Sequence, residues 1–217
     1  MKRIVVGVLF LAALVGFTGC DDEKMQDGKN PPVYVEYYMD CYSEAETMSL
    51  KATDNGLVVY IDGEQVHVDD RLPSQWKRFK ELSERNGDYC NRKIPFALFM
   101  SPRSAYVNFV RLDVQCDRAW DATHPAGSSL NDLFRAQSSS FAEMIRSEYR
   151  LLGVSEVDFL LSDAVPEDLK MLNAVSNDCC SLVYTAPPAE AGDYTLTVTM
   201  ETDEGVVLTQ SAVLTFE

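Results

Sequence analysis

Alternation of apolar and polar side chains is clearest near the carboxyl end of the chain. Over Tyr194-Thr195-Leu196-Thr197-Val198-Thr199-Met200 every second residue is a large apolar one, and threonines stand between them. A period of two sends one set of side chains to each face of a strand, so this segment predicts a half-buried β-strand. Glu201 to Gly205 turns the chain, and Val206 to Phe216 alternates back. Ser181 to Tyr184 predicts a short strand before a proline-containing corner, Ala186 to Asp193. Earlier in the chain, Val33 to Met39 is β-branched and aromatic and predicts a first strand. Leu57 to Ile61 and Glu64 to Val68 flank Asp62-Gly63, a pair suited to a type I′ turn, and predict a hairpin. Ile94 to Met100, Ala105 to Cys116 and Val157 to Leu161 complete the predicted strands. In the second of these, Val110, Leu112, Val114 and Cys116 are expected to share a face.

A helical period appears in three places. Gln75 to Asn86 carries Trp76, Phe79 and Leu82 on one side, with Ser74 as the expected N-cap and Gly87 as the stop. Ser140-Phe141-Ala142-Glu143 has the form of a capping box. It opens a helix to about Leu152 with Phe141, Met144, Ile145 and Tyr149 inward. Pro166-Glu167-Asp168-Leu169 opens a short third helix with proline in its first turn. Strands with helices set between them point to an α+β, mainly β fold. No linker-like stretch interrupts residues 33–217, so one globular, β-rich domain is expected there.

Gly192-Asp193-Tyr194, at the head of the alternating strand, resembles the tyrosine corner of immunoglobulin-like sandwiches. The closing hairpin after it matches the last two strands of that fold. The resemblance covers residues 181–217 and implies an Ig-like β-sandwich elaborated by helical insertions. The inter-sheet cysteine pair and the core tryptophan spacing of antibody domains are not present in this sequence.

The other end of the chain bears on location. Met1-Lys2-Arg3 is basic, Ile4 to Val15 is an unbroken apolar run, and Gly16-Phe17-Thr18-Gly19-Cys20 follows. A charged start, a short apolar stretch and small residues form a secretory leader. The run is shorter than the roughly 20 residues a spanning helix needs, and Asp21-Asp22-Glu23-Lys24 follows at once. With Cys20 directly after Thr18-Gly19, the leader resembles a bacterial lipoprotein signal. The resemblance implies cleavage after residue 19 and acylation of Cys20. Acyl chains contribute about 0.8 kcal/mol per buried methylene, so two or three of them hold a protein on a bilayer. Phe17 departs from the aliphatic residue usual at that place. The acidic run Asp21-Asp22-Glu23 resembles the surface-export signal of Bacteroidota lipoproteins, which implies display on the outer face of the outer membrane; the periplasmic face is the alternative. Residues 20–32 then form an acylated cysteine and a tether, and about 12 extended residues span roughly 40 Å. In style the whole chain is similar to small Bacteroidota lipoproteins, a likeness that implies place and architecture but no activity.

Charge narrows the partners. The formal net charge is −15, and loss of Lys2 and Arg3 with the leader makes the remainder more negative. Phosphate backbones call for stripes of Lys and Arg, so nucleic acid is excluded as a partner. Besides Cys20 there are Cys41, Cys90, Cys116, Cys179 and Cys180, in no recognised disulfide framework. The expectation is buried, inert thiols, with one bridge as the alternative. Neighbouring Cys179 and Cys180 point apart in most backbones and do not readily bridge. The chain has no Cys-x-x-Cys and only two histidines, His67 and His124, so no metal and no cofactor is expected.

Catalytic constellations are weak. Asp113, Asp117 and Asp121 recur every fourth residue, but a strand ending at Cys116 breaks any common helical face. Cys116 and His124 would make a thiol nucleophile and its base, yet Cys116 belongs to an apolar strand face. No nucleophile elbow, phosphate-binding glycine loop or His-Glu-x-x-His occurs. Tyr34, Tyr38 and Trp120 are the candidate ligand-contact aromatics, since aromatic rings offer broad contact to glycans and proteins. The competing reading is that aromatics favour strands and that Trp120 plugs the edge of the core. The function expected is therefore a noncatalytic, lipid-anchored binding or structural module for a protein or glycan. The alternative is an extracellular hydrolase acting on carbohydrate or peptide.

Overall fold

The computed structural model describes residues 33–37, 39–69, 72–88, 92–94, 108–147, 154–173 and 178–217. In chain order these form β1 (Val33–Val35), β2 (Cys41–Ser43), β3 (Thr47–Thr53), β4 (Gly56–Asp62), β5 (Gln65–His67), α1 (Pro73–Asn86) and β6 (Arg92–Ile94). There follow β7 (Phe109–Cys116), β8 (Phe134–Ser140), α2 (Ala142–Arg146), β9 (Ser155–Leu160), α3 (Pro166–Lys170), β10 (Asp178–Tyr184), β11 (Gly192–Thr202) and β12 (Val207–Phe216). The fold is α+β and mainly β. One sheet has the order β3-β4-β10-β8-β9 and another β12-β11-β7, while β1 with β6 and β2 with β5 form separate pairs. Among the described strands every pairing is antiparallel. Buried apolar residues from both large sheets and from α1 and α2 join one connected core.

The tail matches its pattern. Along β11, Tyr194, Leu196, Val198 and Met200 are buried and the threonines between them are half-buried. Across the hairpin Thr197 lies opposite Ser211 and Thr199 opposite Thr209, and both hydroxyl pairs hydrogen-bond. Trp120 stands at one end of this sheet and is 1% exposed. Its ring meets Phe134 of β8, Tyr184, Tyr194 and Phe216 at centroid distances of 5.5 to 6.0 Å, mostly edge to face, so side chains of both large sheets close on it.

The hairpin expected around Asp62-Gly63 does not form. The reversal lies at Asp54-Asn55, and β3 pairs with β4 from Thr53↔Gly56 out to Thr47↔Asp62. Beyond that ladder, the Glu46 and Glu44 amides donate to the carbonyls of Asp62 and Glu64, and β2 pairs with β5 from Ser43↔Gln65 to Cys41↔His67. Residues 56–67 are thus one interrupted strand, and Asp62-Gly63 is a break within it. Gly56 has φ of +154°, and a Cβ there would lie 1.9 Å from the Leu182 carbonyl oxygen. Only glycine lets β4 and β10 approach this closely.

Other boundaries moved as well. The face expected for β7 is broken at Val110, which is 50% exposed, while Phe109 is buried. A bulge causes this: Glu201 pairs with Arg111 but Thr202 with Phe109, which leaves Val110 without an opposite residue. α1 begins two residues early, with Pro73 at its start, Leu72 at the cap and no side-chain cap bond; its stop at Gly87 and its buried Phe79 and Leu82 are as expected. The helix expected from Ser140 is shorter within the described residues, because Ser140 ends β8 and α2 starts at Ala142. The rest of that helix, with Tyr149, and most of the expected 94–100 strand lie outside the described residues. No helix among the described residues is long and apolar enough to cross a membrane.

Candidate interaction surface

Among the described residues the five-stranded sheet ends in β9, which pairs with β8 alone. Ser155-Glu156-Val157-Asp158-Phe159-Leu160 alternates, with Val157 buried and Glu156 and Asp158 exposed. Directly opposite pairs, Gln137 with Asp158, Ser139 with Glu156 and Gln137 with Ser181, put polar groups together on one sheet face. An open cleft of about 490 Å³ lies there. Asp158 accepts from Arg135 Nε at 2.7 Å and from Gln137 Nε2 at 3.3 Å. A second cleft of about 590 Å³ is lined by Glu156, Val157, Asp158 and Phe159 together with residues of α2 and α3. Consecutive strand residues point to opposite faces, so a cleft touching all four runs along the strand's open edge. Acidic side chains stand around a largely apolar lining that includes Val157, Phe159 and Met171: Glu143 takes the Ser155 hydroxyl at 2.6 Å, and Arg146 donates to the Lys170 carbonyl at 3.0 Å. Burial lowers the Arg146 pKa, against the opposing charges of Glu143 and Glu167. Volumes of this size fall in the range that holds small ligands or a few residues of peptide.

His124 occupies a second cluster, in the loop after β7. Its Nδ1 lies 2.8 Å from Asp121 Oδ1 and its Nε2 3.0 Å from Asp132 Oδ2. These contacts, Asp121 first, raise the His124 pKa above its ordinary value. Asp121 is held well below the carboxylate range, chiefly by the Thr123 hydroxyl and next by His124. Carboxylates facing both ring nitrogens favour the doubly protonated ring, which donates from each. Thr123 Oγ1 donates to Asp121 at 2.7 Å and is not freed as a nucleophile. The cluster ties the loop through His124, with both ring nitrogens engaged by carboxylates.

The aspartates recurring every fourth residue do not converge. Asp113 accepts from Ser129 at 2.7 Å and Gln115 at 3.1 Å, and Asp117 accepts from the Thr195 amide at 2.8 Å. Cys116 donates to Asp117 at 3.6 Å rather than meeting His124. Burial, before other causes, raises its pKa, so it remains a thiol. Cys41, Cys179 and Cys180 are likewise buried, and Cys90 lies outside the described residues. Among the described residues no cluster of His, Cys, Asp and Glu is fit to hold a metal.

Trp120 is corrected as a ligand-contact residue. Its ring is enclosed by four aromatic neighbours, and its Nε1 donates to the Ala186 carbonyl at 3.1 Å. Both its faces and its polar handle are used within the core, which leaves no ring surface for a glycan. Tyr34 lies in β1 opposite Lys93, and Tyr38 lies outside the described residues. Cys20, Asp21, Asp22 and Glu23 also lie outside them. Val157 to Leu161 were legible as a strand, without Ser155 and Glu156; that the strand is an edge among the described residues was not legible, since no local pattern encodes which neighbour is missing. Comparison with known proteins finds no matching family model, no matching curated protein and no matching solved structure.

Proposed function

We propose that this chain is a noncatalytic binding or structural module held by lipid on Cys20 at the outer membrane of a Gram-negative bacterium, probing a protein or glycan on the outer face. The leader carries this reading: a basic start, the apolar run Ile4 to Val15, and Thr18-Gly19-Cys20 ahead of Asp21-Asp22-Glu23. An Ig-like sandwich is part of the proposal, and strand order supports it. Taking β3, β4, β7, β8, β10, β11 and β12 as successive strands A to G, one sheet runs A-B-E-D and the other C-F-G, the constant-type arrangement. The Tyr194 hydroxyl donates to the Glu190 carbonyl at 2.9 Å, the bond that marks a tyrosine corner. β9 then extends the first sheet, and the segments around α1 and around α2 and α3 are insertions between strands. The locked His124 and the protonated Cys116 support binding over hydrolysis.

Labelling of intact cells with a clickable palmitate analogue, followed by protease shaving, tests the reading. The expected result is label on the wild type, none on Cys20→Ala, and loss of the labelled protein from unpermeabilised cells. Unlabelled wild-type protein would remove the anchor; labelled but fully protected protein would move the domain to the periplasmic face.

A further inference from the structure

We propose that the open edge of β9 docks an extended, basic segment of a partner protein, which adds to the five-stranded sheet as a further strand. This rests on the reading of the chain as a binding module and names the class of partner. Unpaired edges are a hazard that folded proteins cover, and the other edges of the two large sheets are covered. β3 and β12 lie against each other. The Val114 amide of β7 donates to Asn131 Oδ1 at 3.0 Å, its carbonyl accepts from the Leu130 amide at 2.8 Å, and Gln115 bridges to Ser129. β9 instead borders the 590 Å³ cleft.

Charge selects the occupant. Five carboxylates and one guanidinium, Arg146, line the edge cleft. Asp158 is paired with Arg135, while Glu156 and Glu167 have no ion-pair partner among the described residues. A second copy of this chain, pairing β9 with β9, would set Glu156 and Asp158 against like charges, which destabilises cross-strand pairs. A foreign strand carrying Lys or Arg opposite these positions, and apolar residues toward Val157 and Phe159, satisfies both faces. Main-chain hydrogen bonds supply affinity in this mode and the alternating side chains supply selectivity. Six residues of β9 offer a ladder of about 20 Å.

The test titrates a blocked peptide of about seven residues, alternating Lys and Val, into the full-length protein in a nonionic detergent. Binding is read by anisotropy and by hydrogen exchange. The expected result is micromolar binding with new protection confined to 155–160. Glu156→Lys and, separately, Glu167→Lys weaken it about tenfold or more, and raising salt weakens it further. A peptide with Glu for Lys, or with N-methylated central residues, does not bind. Absence of binding, indifference to both charge reversals, or protection elsewhere would overturn the proposal. A glycan that protects the same amides in place of the peptide would overturn it too. The palmitate and shaving results are independent of this titration, so loss of the docking site leaves the anchored-module reading standing, and the reverse.

Discussion

At the start of β11, Tyr194 packs on Trp120 at 5.6 Å between ring centres and carries the Arg118 guanidinium 4.6 Å above its own ring. At the other end of the same hairpin, the turn residues Asp203 and Glu204 meet α1 through charge. Arg78 bridges Glu44 and Glu204, and Arg85 reaches Glu204 at 2.6 Å and Asp203 at 3.5 Å. One end is closed by burial and the other by ion pairs. Burial answers to the volume removed and hardly to salt. Ion pairs at half-exposed sites answer to salt and pH and contribute less each. Gly192 serves the first end: at φ +135° it leaves room for Arg118, whose Nη1 would lie 2.5 Å from any Cβ there.

The comparison breaks most sharply at Trp120. Trp120→Ala is expected to cost about 3–5 kcal/mol in urea unfolding, almost equally at low and high salt. Arg78→Ala is expected to cost about 2 kcal/mol at low salt and clearly less in about 1 M NaCl. Equal salt dependence of the two variants would erase the distinction between the ends. Tyr194→Phe keeps the ring and removes the hydrogen bond to Glu190, so about 1 kcal/mol should be lost.

Titration sharpens the contrast further, because the two ends carry opposite signs. His124 has a folded pKa above its unfolded value of about 6.5. Its contribution is therefore full below that value and is lost as pH rises through the folded pKa. Glu204 is held below the ordinary carboxylate range, first by Arg78. Its contribution is present above about pH 4.3 and is lost as pH falls through the folded pKa. Unfolding followed against pH should show the neutral-to-alkaline decline vanish in His124→Gln and the acid decline shrink in Glu204→Gln. The smallest effect belongs to the bulge: Val110→Thr should change stability by less than about 0.5 kcal/mol, since the side chain faces water. A loss near that of a core valine would place Val110 back on the buried face.

Legibility followed the range of the interaction. The β11–β12 hairpin, the buried face of α1 and its stop at Gly87 were readable, because alternation, helical period and capping act over a few residues. β8, Phe-Arg-Ala-Gln-Ser-Ser-Ser, went unseen: serine has low strand preference, and the segment is a strand because β10 and β9 flank it. The Asp62-Gly63 turn failed because its flanking segments found β3, β10 and β2 as better partners than each other. The candidate site was half legible. Val157 to Leu161 were readable as a strand, while its start at Ser155 and its place at the sheet edge among the described residues were not. For Trp120 the sequence offered both a ligand contact and a plug at the core edge; four rings from distant segments decide for the plug.

By itself the sequence determined the mainly β character, the closing hairpin and the faces of its strands. Each depends on neighbours close in the chain. Only the tertiary structure decided which strands pair, that Val110 bulges outward, that His124 is clasped between two carboxylates, and that β9 is, among the described residues, an edge over a cleft. Those outcomes depend on which distant segments compete for the same hydrogen bonds and the same buried volume, and no local pattern carries that information.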